Sequence, residues 1–275
     1  SGWDGVEIVS ADSRQIYRGM DIGTAKPLDL EGIPHHLLDI KTPDQNYTVA
    51  EYKEDAVKAI QDILKRGNLP ILAGGTGLYI KTVVENLDIP KVESDPILRK
   101  KIEKDITEKG LEFVFNKLIE LDPEATYIVD PKNPRRVVRA LEVTLLTQKP
   151  FSSQRKTGNP LFNVLEIGIS VPNEKLKEKI NRRIDEMAKD GLVREIENLI
   201  KKYGADQQAF DAIGYREIIE FLNNKITLSQ ALENMKMNTW HFAKRQMTWF
   251  KKDKKIHWIS SHEEAEKLVK EFLKV

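Results

Sequence analysis

The 275-residue sequence predicts an α/β protein, a parallel sheet core interrupted by helical insertions. Three observations carry that prediction. Two short apolar runs, VEIV at 6–9 and LPILA at Leu69–Ala73, are each bounded by turn-forming residues. Helical periodicity fills the interval between them, opened by a T-V-A-E capping box at 48–51. Strands that alternate with helices pair in parallel, because each crossover returns the chain to the same end of the sheet before the next strand begins.

Residues 6–9 read as a short buried strand. After the capping box, Tyr52, Ala56, Ala59, Ile60, Ile63 and Leu64 recur at helical spacing, and Gly67 stops the helix. Leu69–Ala73 is a second buried strand ending in G-G-T-G at 74–77, and 78–86 reads as helix. Charged helical sequence then runs from 95 to about 146, broken around D-P-K-N-P at 130–134. Residues 162–171 alternate as a strand does, and 174–202, 211–223 and 228–250 are helical by period. A last short strand, 256–259, precedes an amphipathic helix at 262–273. The α/β core is therefore expected in 1–92, 160–172 and 254–275, with helical regions at 93–158 and 173–253.

Composition narrows the class. There is no cysteine, which excludes disulfides and thiolate metal sites and fits a reducing, cytoplasmic location. No apolar run approaches a membrane span, so no membrane partner is expected. Basic and acidic residues number 44 and 43, so any nucleic-acid surface must be a local patch.

Asp12 stands where the first strand ends, within SADSRQIYRGMDIGTAKP at 10–27. Ligands in open α/β sheets bind outside the carboxyl ends of the strands, so an acid there is placed as a site residue. The alternative is a turn Asp that accepts from local backbone N–H groups. The G-G-T-G turn enters a helix, where free N–H groups and the helix dipole favour an anion, although glycines there also simply make turns. In NPRRVVRALE, Arg135 and Arg139 lie one helical turn apart, suited to phosphate or to pairing with Glu. Arg182 and Arg183 flank an apolar seam of Ile180, Ile184 and Met187. Arg216 sits in the first turn of a helix, which is unfavourable for a cation without a partner or ligand. Between 236 and 255 seven Lys/Arg are interleaved with Trp240, Phe242, Trp249 and Phe250. That mixture suits single-stranded RNA, or else aromatics in a core beneath solvated lysines. His35 and His36 have no third ligand at metal spacing, so no protein metal site is expected.

Taken together, SADSRQIYRGMDIGTAKP, GIPHHLLDI, LPILAGGTGLYIK, NPRRVVRALEV, INRRIDEM, FDAIGYREI and AKRQMTWF resemble the bacterial tRNA dimethylallyltransferases, in family order from about 7 to 260. The resemblance implies a P-loop NTPase-like core. It also implies transfer of a dimethylallyl group from dimethylallyl diphosphate to N6 of adenosine 37 in the tRNA anticodon arm, with Mg²⁺, by a monomer. Asp12 matches the catalytic Asp and Arg183 the diphosphate-contacting arginine. Asp12, Ser13, Arg14, Gln15, Thr76, Arg99, Arg135, Arg136, Arg139, Asp211, Gly214, Tyr215, Arg216, Lys244, Arg245 and Gln246 match tRNA-contacting positions. One departure is plain: family members carry a P-loop before SADS, and no G-x-x-x-x-G-K-[ST] occurs in these residues. The opening S-G-W-D-G, without Met, makes truncation the expectation rather than natural loss of donor binding. Two other functions are consistent with the motifs: prenylation of free AMP or ATP, and tRNA binding without catalysis. The basic and aromatic 236–255 segment favours tRNA.

Overall fold

The computed structural model describes residues 5–27, 30–90, 92, 94–154 and 157–273. The described elements, in chain order, are β1 (Val6–Ser10), β2 (His35–His36), α1 (Val49–Lys65), β3 (Leu69–Ala73), α2 (Gly77–Val84), α3 (Pro96–Lys109), α4 (Leu111–Leu121), α5 (Ala125–Ile128), α6 (Pro134–Thr147), β4 (Ile167–Ile169), α7 (Asn173–Lys189), α8 (Leu192–Tyr203), α9 (Tyr215–Leu222), α10 (Leu228–Phe250), β5 (His257–Ile259) and α11 (His262–Leu273). Two compact units divide the chain: residues 1–80 with 162–275, and residues 81–161. The helices from α7 to α10 therefore belong to the same unit as the sheets.

In the first unit β1 lies between β2 and β3, parallel to both, in register from Val6 opposite Leu69 to Ser10 opposite Ala73. A second parallel pair joins β4 to β5. The alternation expected over 162–171 yields only Ile167–Ile169, because only those residues ladder with β5. The capping box forms as predicted: Thr48 Oγ1 accepts from the Glu51 N–H at 3.2 Å and Glu51 accepts from the Thr48 N–H at 2.7 Å. Gly191, at φ 103°, splits the helical stretch 174–202 into α7 and α8, since a left-handed residue ends the hydrogen-bond ladder.

The two-residue strand β2 was not legible in the sequence. It divides the histidine pair, as successive residues on a strand face opposite ways. The His36 ring hydrogen-bonds the Glu7 carboxylate at 2.6 Å, while His35 Nδ1 faces the Ile33 carbonyl at 2.8 Å. Glu7 is buried on β1, forked against Arg66 and bonded to Asn68.

Residues following β1 leave the sheet for a helical core. Ile16, Tyr17 and Met20 pack with Ile184, Met187, Leu192, Ile196, Phe210, Tyr215, Ile218 and Met235. Burial of these side chains, each about 1.5–3 kcal/mol for a full-sized apolar group, ties the segment after Asp12 to the helices from α7 to α10. In the second unit, Ile102, Val114, Phe115, Leu118, Val137, Val138 and Leu141 form a separate core of α3, α4 and α6.

Candidate active site

The strand ends β1 and β3 are locked together: the Ala11 N–H donates to the Ala73 carbonyl at 2.7 Å and the Thr76 N–H to the Ala11 carbonyl at 3.1 Å. A Cβ on Gly74 would overlap the Ala11 backbone, so the approach requires glycine. Ser13 completes the lock, its N–H donating to Thr76 Oγ1 at 3.0 Å and its Oγ meeting the Thr76 hydroxyl at 3.3 Å. Behind the strand ends, Tyr52 and Tyr79 stack with ring centroids 3.7 Å apart, and the Tyr52 hydroxyl donates to the Ser10 carbonyl. Burial raises both phenols, so neither supplies an anion at neutral pH.

Asp12 is half-buried at this junction. Its Oδ1 accepts from the N–H groups of Arg14 at 2.7 Å and Gln15 at 3.3 Å. Oδ2 has no hydrogen-bond partner among the described residues. The turn geometry and the open oxygen thus coexist in one side chain.

Arg14 and Gln15 spend their side chains inside the fold. Arg14 Nη1 donates to the Gln208 and Ala209 carbonyls at 3.1 Å each, in a short 3-10 turn at Gln208–Asp211. Gln15 Nε2 donates to the Thr24 and Ala25 carbonyls at 3.2 and 3.3 Å. In FDAIGYRE, Tyr215 is fully buried and parallel to Phe210, and its hydroxyl donates to Glu195 at 2.6 Å. Burial, and then the Glu195 charge, raise this phenol. Glu217 accepts from the Gly214 N–H and from Asn238, each at 2.7 Å, capping α9. Asp211 and Arg216 are exposed beside these buried groups. Neither Glu195 nor Glu217 carried a distinguishing sequence signal, since an acid in a first helical turn is commonplace.

Along α10, Gln246 donates to the Gly75 carbonyl at 2.9 Å, and a Cβ on Gly77 would collide with the Trp249 indole. Lys244 lies over the Trp240 ring at 4.8 Å and Arg245 over Phe242 at 5.9 Å; Trp240 is half-buried against the helical core, whereas Phe242 and both cations are exposed. On α7, Arg182 pairs with Glu186 at 3.8 Å. Arg183 is exposed and makes no ion pair with any described residue.

In the second unit, Arg99 Nη2 and Arg139 Nη1 converge on the fully buried Glu142 at 2.8 and 2.9 Å, and Arg139 also donates to the Val92 carbonyl. Of the two roles open to Arg139 in the sequence, pairing with Glu is formed. Arg135 and Arg136 are exposed on the same helix. Among the described residues no group of three or more His, Cys, Asp or Glu side chains could hold a metal ion, and no helix is long and apolar enough to cross a membrane.

A half-buried carboxylate and a glycine-rich turn stand at the carboxyl ends of parallel strands, which defines an α/β protein; in open sheets of that class ligands bind at that end. The comparisons give the particular family. The model described as IPP transferase matches residues 15–253, and the chain belongs to that family. It is 45% identical over 272 residues to the tRNA dimethylallyltransferase of Acetivibrio thermocellus, spanning 96% of this chain and 87% of the relative. It is also 45% identical over 260 residues to that of Pelotomaculum thermopropionicum, spanning 93% and 82%. The crystal structure of the full-length tRNA isopentenylpyrophosphate transferase from Bacillus halodurans superposes with a TM-score of 0.69 at 35% identity, covering 98% of this chain and 86% of that one. A eukaryotic dimethylallyltransferase acting on tRNA gives 0.70 at 29% identity, covering 89% and 63%.

Proposed function

We propose that this enzyme transfers the dimethylallyl group from dimethylallyl diphosphate to N6 of adenosine 37 in the tRNA anticodon arm. The observation that carries the reading is Asp12, one oxygen fixed by two backbone N–H groups and the other without a partner among the described residues. A carboxylate so held keeps its orientation and still offers a lone pair. The adenine amine is a weak nucleophile because its electron pair is conjugated into the ring. As N6 bonds to C1 of the dimethylallyl group, the C1–oxygen bond breaks and its electron pair leaves on diphosphate. The N6 proton passes to the open oxygen of Asp12, a general-base contribution of ~10²–10⁴-fold.

Arg183, exposed on α7, is assigned to the departing diphosphate, where a fixed cation gains strength as charge develops. Mg²⁺ binds through few carboxylates plus substrate phosphates and keeps much of its water. Mg²⁺ held in this way on the diphosphate would neutralise its negative charge. The acceptor base must leave its stack to reach Asp12. Arg135, Arg136, Arg216, Lys244 and Arg245, with exposed Phe242, supply cations and a ring for the RNA. The sheet with β1 at its centre is read as part of a P-loop NTPase-like core, 93–158 and 173–253 as tRNA-contacting regions, and the enzyme as a cytoplasmic monomer.

The test is label transfer by the full-length protein from radiolabelled dimethylallyl diphosphate to tRNA bearing A37, with free AMP as the competing acceptor. Label is expected in tRNA alone, and Asp12→Asn is expected to bind tRNA but lose at least ~10²-fold in turnover. Label on AMP turns the reading toward a free-nucleotide transferase.

A further inference from the structure

The loop after Asp12 is gripped from its far side by a carboxylate that the catalytic reading does not use. Glu195, in the first turn of α8, accepts three successive backbone N–H groups: Asp21 at 3.0 Å and Ile22 at 2.7 Å on Oε2, and Gly23 at 3.1 Å on Oε1. The Tyr215 hydroxyl adds a fourth bond to Oε1 at 2.6 Å. Consecutive N–H groups converging on one anion form a backbone nest, and each bond is charge-assisted. A Cβ at Gly23 would stand 2.6 Å from the Tyr215 ring, so turn, ring and carboxylate are packed without slack.

The turn held in this way runs straight into the Asp12 geometry. Its next two residues, Thr24 and Ala25, offer the carbonyls that hold the Gln15 side chain. The Gln15 N–H in turn reaches Asp12 Oδ1. Buried Lys26 ties the end of the turn to the Tyr17 carbonyl at 2.8 Å and to Asp21 and Asp39 at 2.6 Å each. The loop's apolar anchors, Ile16 and Met20, are already in the helical core, so Glu195 adds orientation to a segment whose burial is otherwise secured.

We propose that Glu195 is a positioning residue for the prenyl transfer, setting the direction of the Asp12 carboxylate through the 21–23 turn and Gln15. The proposal rests on the reading of Asp12 as the base. A misplacement of about 1 Å at a reacting group costs up to ~10²-fold in rate.

The experiment is a double-mutant cycle in the full-length protein between Asp12→Asn and Glu195→Gln, by steady-state kinetics with tRNA as the varied substrate. Glu195→Gln keeps the shape but turns an amide donor toward groups that are themselves donors. Expected are a kcat lower by ~10- to 10²-fold, a tRNA KM within about threefold, and no further loss when Asp12→Asn is already present. Losses that multiply, a KM rise at unchanged kcat, or wild-type kinetics each overturn the positioning role. If Asp12→Asn alone keeps its turnover, the base reading has failed and the positioning role falls with it. An inactive Asp12→Asn beside an unaffected Glu195→Gln instead overturns the positioning role and leaves Asp12 as the base. Should Glu195→Gln not fold, Glu195→Asp, which keeps the charge but withdraws it by one methylene, carries the same masking test with a smaller loss.

Discussion

The Gln246 side-chain amide donates to the Gly75 carbonyl at 2.9 Å, joining residues 171 positions apart. Two stretches that look unrelated in the sequence, a glycine-rich turn and a basic, aromatic helix, are one piece of structure. The turn is narrow because α10 lies against it: a Cβ at Gly75 would strike Gln246, and one at Gly77 would strike Trp249. Exposed Lys244 and Arg245 are thereby brought to the same end of the sheet as Thr76 and Asp12.

Gly77→Ala should disturb that contact. Within a helix alanine is preferred to glycine, and Gly77 is already the first residue of α2, so a net loss of stability here isolates the collision with the indole. A loss of about 1–3 kcal/mol is expected in urea denaturation, with altered tryptophan fluorescence as Trp249 is displaced. An alanine variant as stable as wild type, with unchanged fluorescence, contradicts the packing.

Glu7 sets an acid-side limit on stability. The Arg66 guanidinium, then Asn68 and His36, hold its carboxyl down from 4.5 to about 2. A depressed folded-state value stabilises the protein fully above the unfolded value and ceases to do so as pH falls through the folded one. The stability difference between wild type and Glu7→Gln should therefore be constant above about pH 5 and shrink steadily toward pH 2. Urea midpoints for both proteins over that range provide the check, and a difference that grows on acidification contradicts the pairing.

Arg139 and Arg136 share a helix but should behave oppositely. Arg139→Ala leaves buried Glu142 with fewer donors and is expected to cost about 2 kcal/mol, below the range for fully buried pairs because the arginine is itself partly exposed. Arg136 is exposed with no ion pair to a described residue, so Arg136→Ala should spare stability and lower the salt dependence of tRNA affinity by about one phosphate's worth. Denaturation and salt-titrated binding on both variants separate the two roles.

Arg183→Ala is expected to lower kcat by ~10²–10³-fold, or about 2–4 kcal/mol in the barrier, with stability unchanged because the side chain is exposed. Single-turnover kinetics alongside thermal melts is the measurement. Lost stability with intact kinetics would assign the arginine to the scaffold.

Much of the local structure was readable from residue order. The capping box at Thr48 and Glu51, the strand Leu69–Ala73 and the long helix Leu228–Phe250 all depend on signals within a few residues of one another. The motifs that resemble the family were equally legible, and the family match over 15–253 agrees with them. Where an element depends on residues far apart in the chain, local signals run out. The strand β2 has two residues and no period of its own; it exists because β1 offers it a ladder.

By itself, then, the sequence determined the α/β class, most of the helices, and the position of Asp12 at a strand end. Tertiary structure alone decided which charges are committed. Arg14, Gln15 and Arg139 look like ligand-facing polar residues in one dimension, yet Arg14 donates to the Gln208 carbonyl 194 positions away, Arg139 to the Val92 carbonyl 47 positions away, and Gln15 to the Thr24 carbonyl across its own turn. Glu195 looks like a solvated helix acid and instead gathers three backbone N–H groups. The reason is physical: a hydrogen bond depends on separation in space, and an unpaired buried donor costs enough that the fold must supply its acceptor from wherever the chain happens to pass.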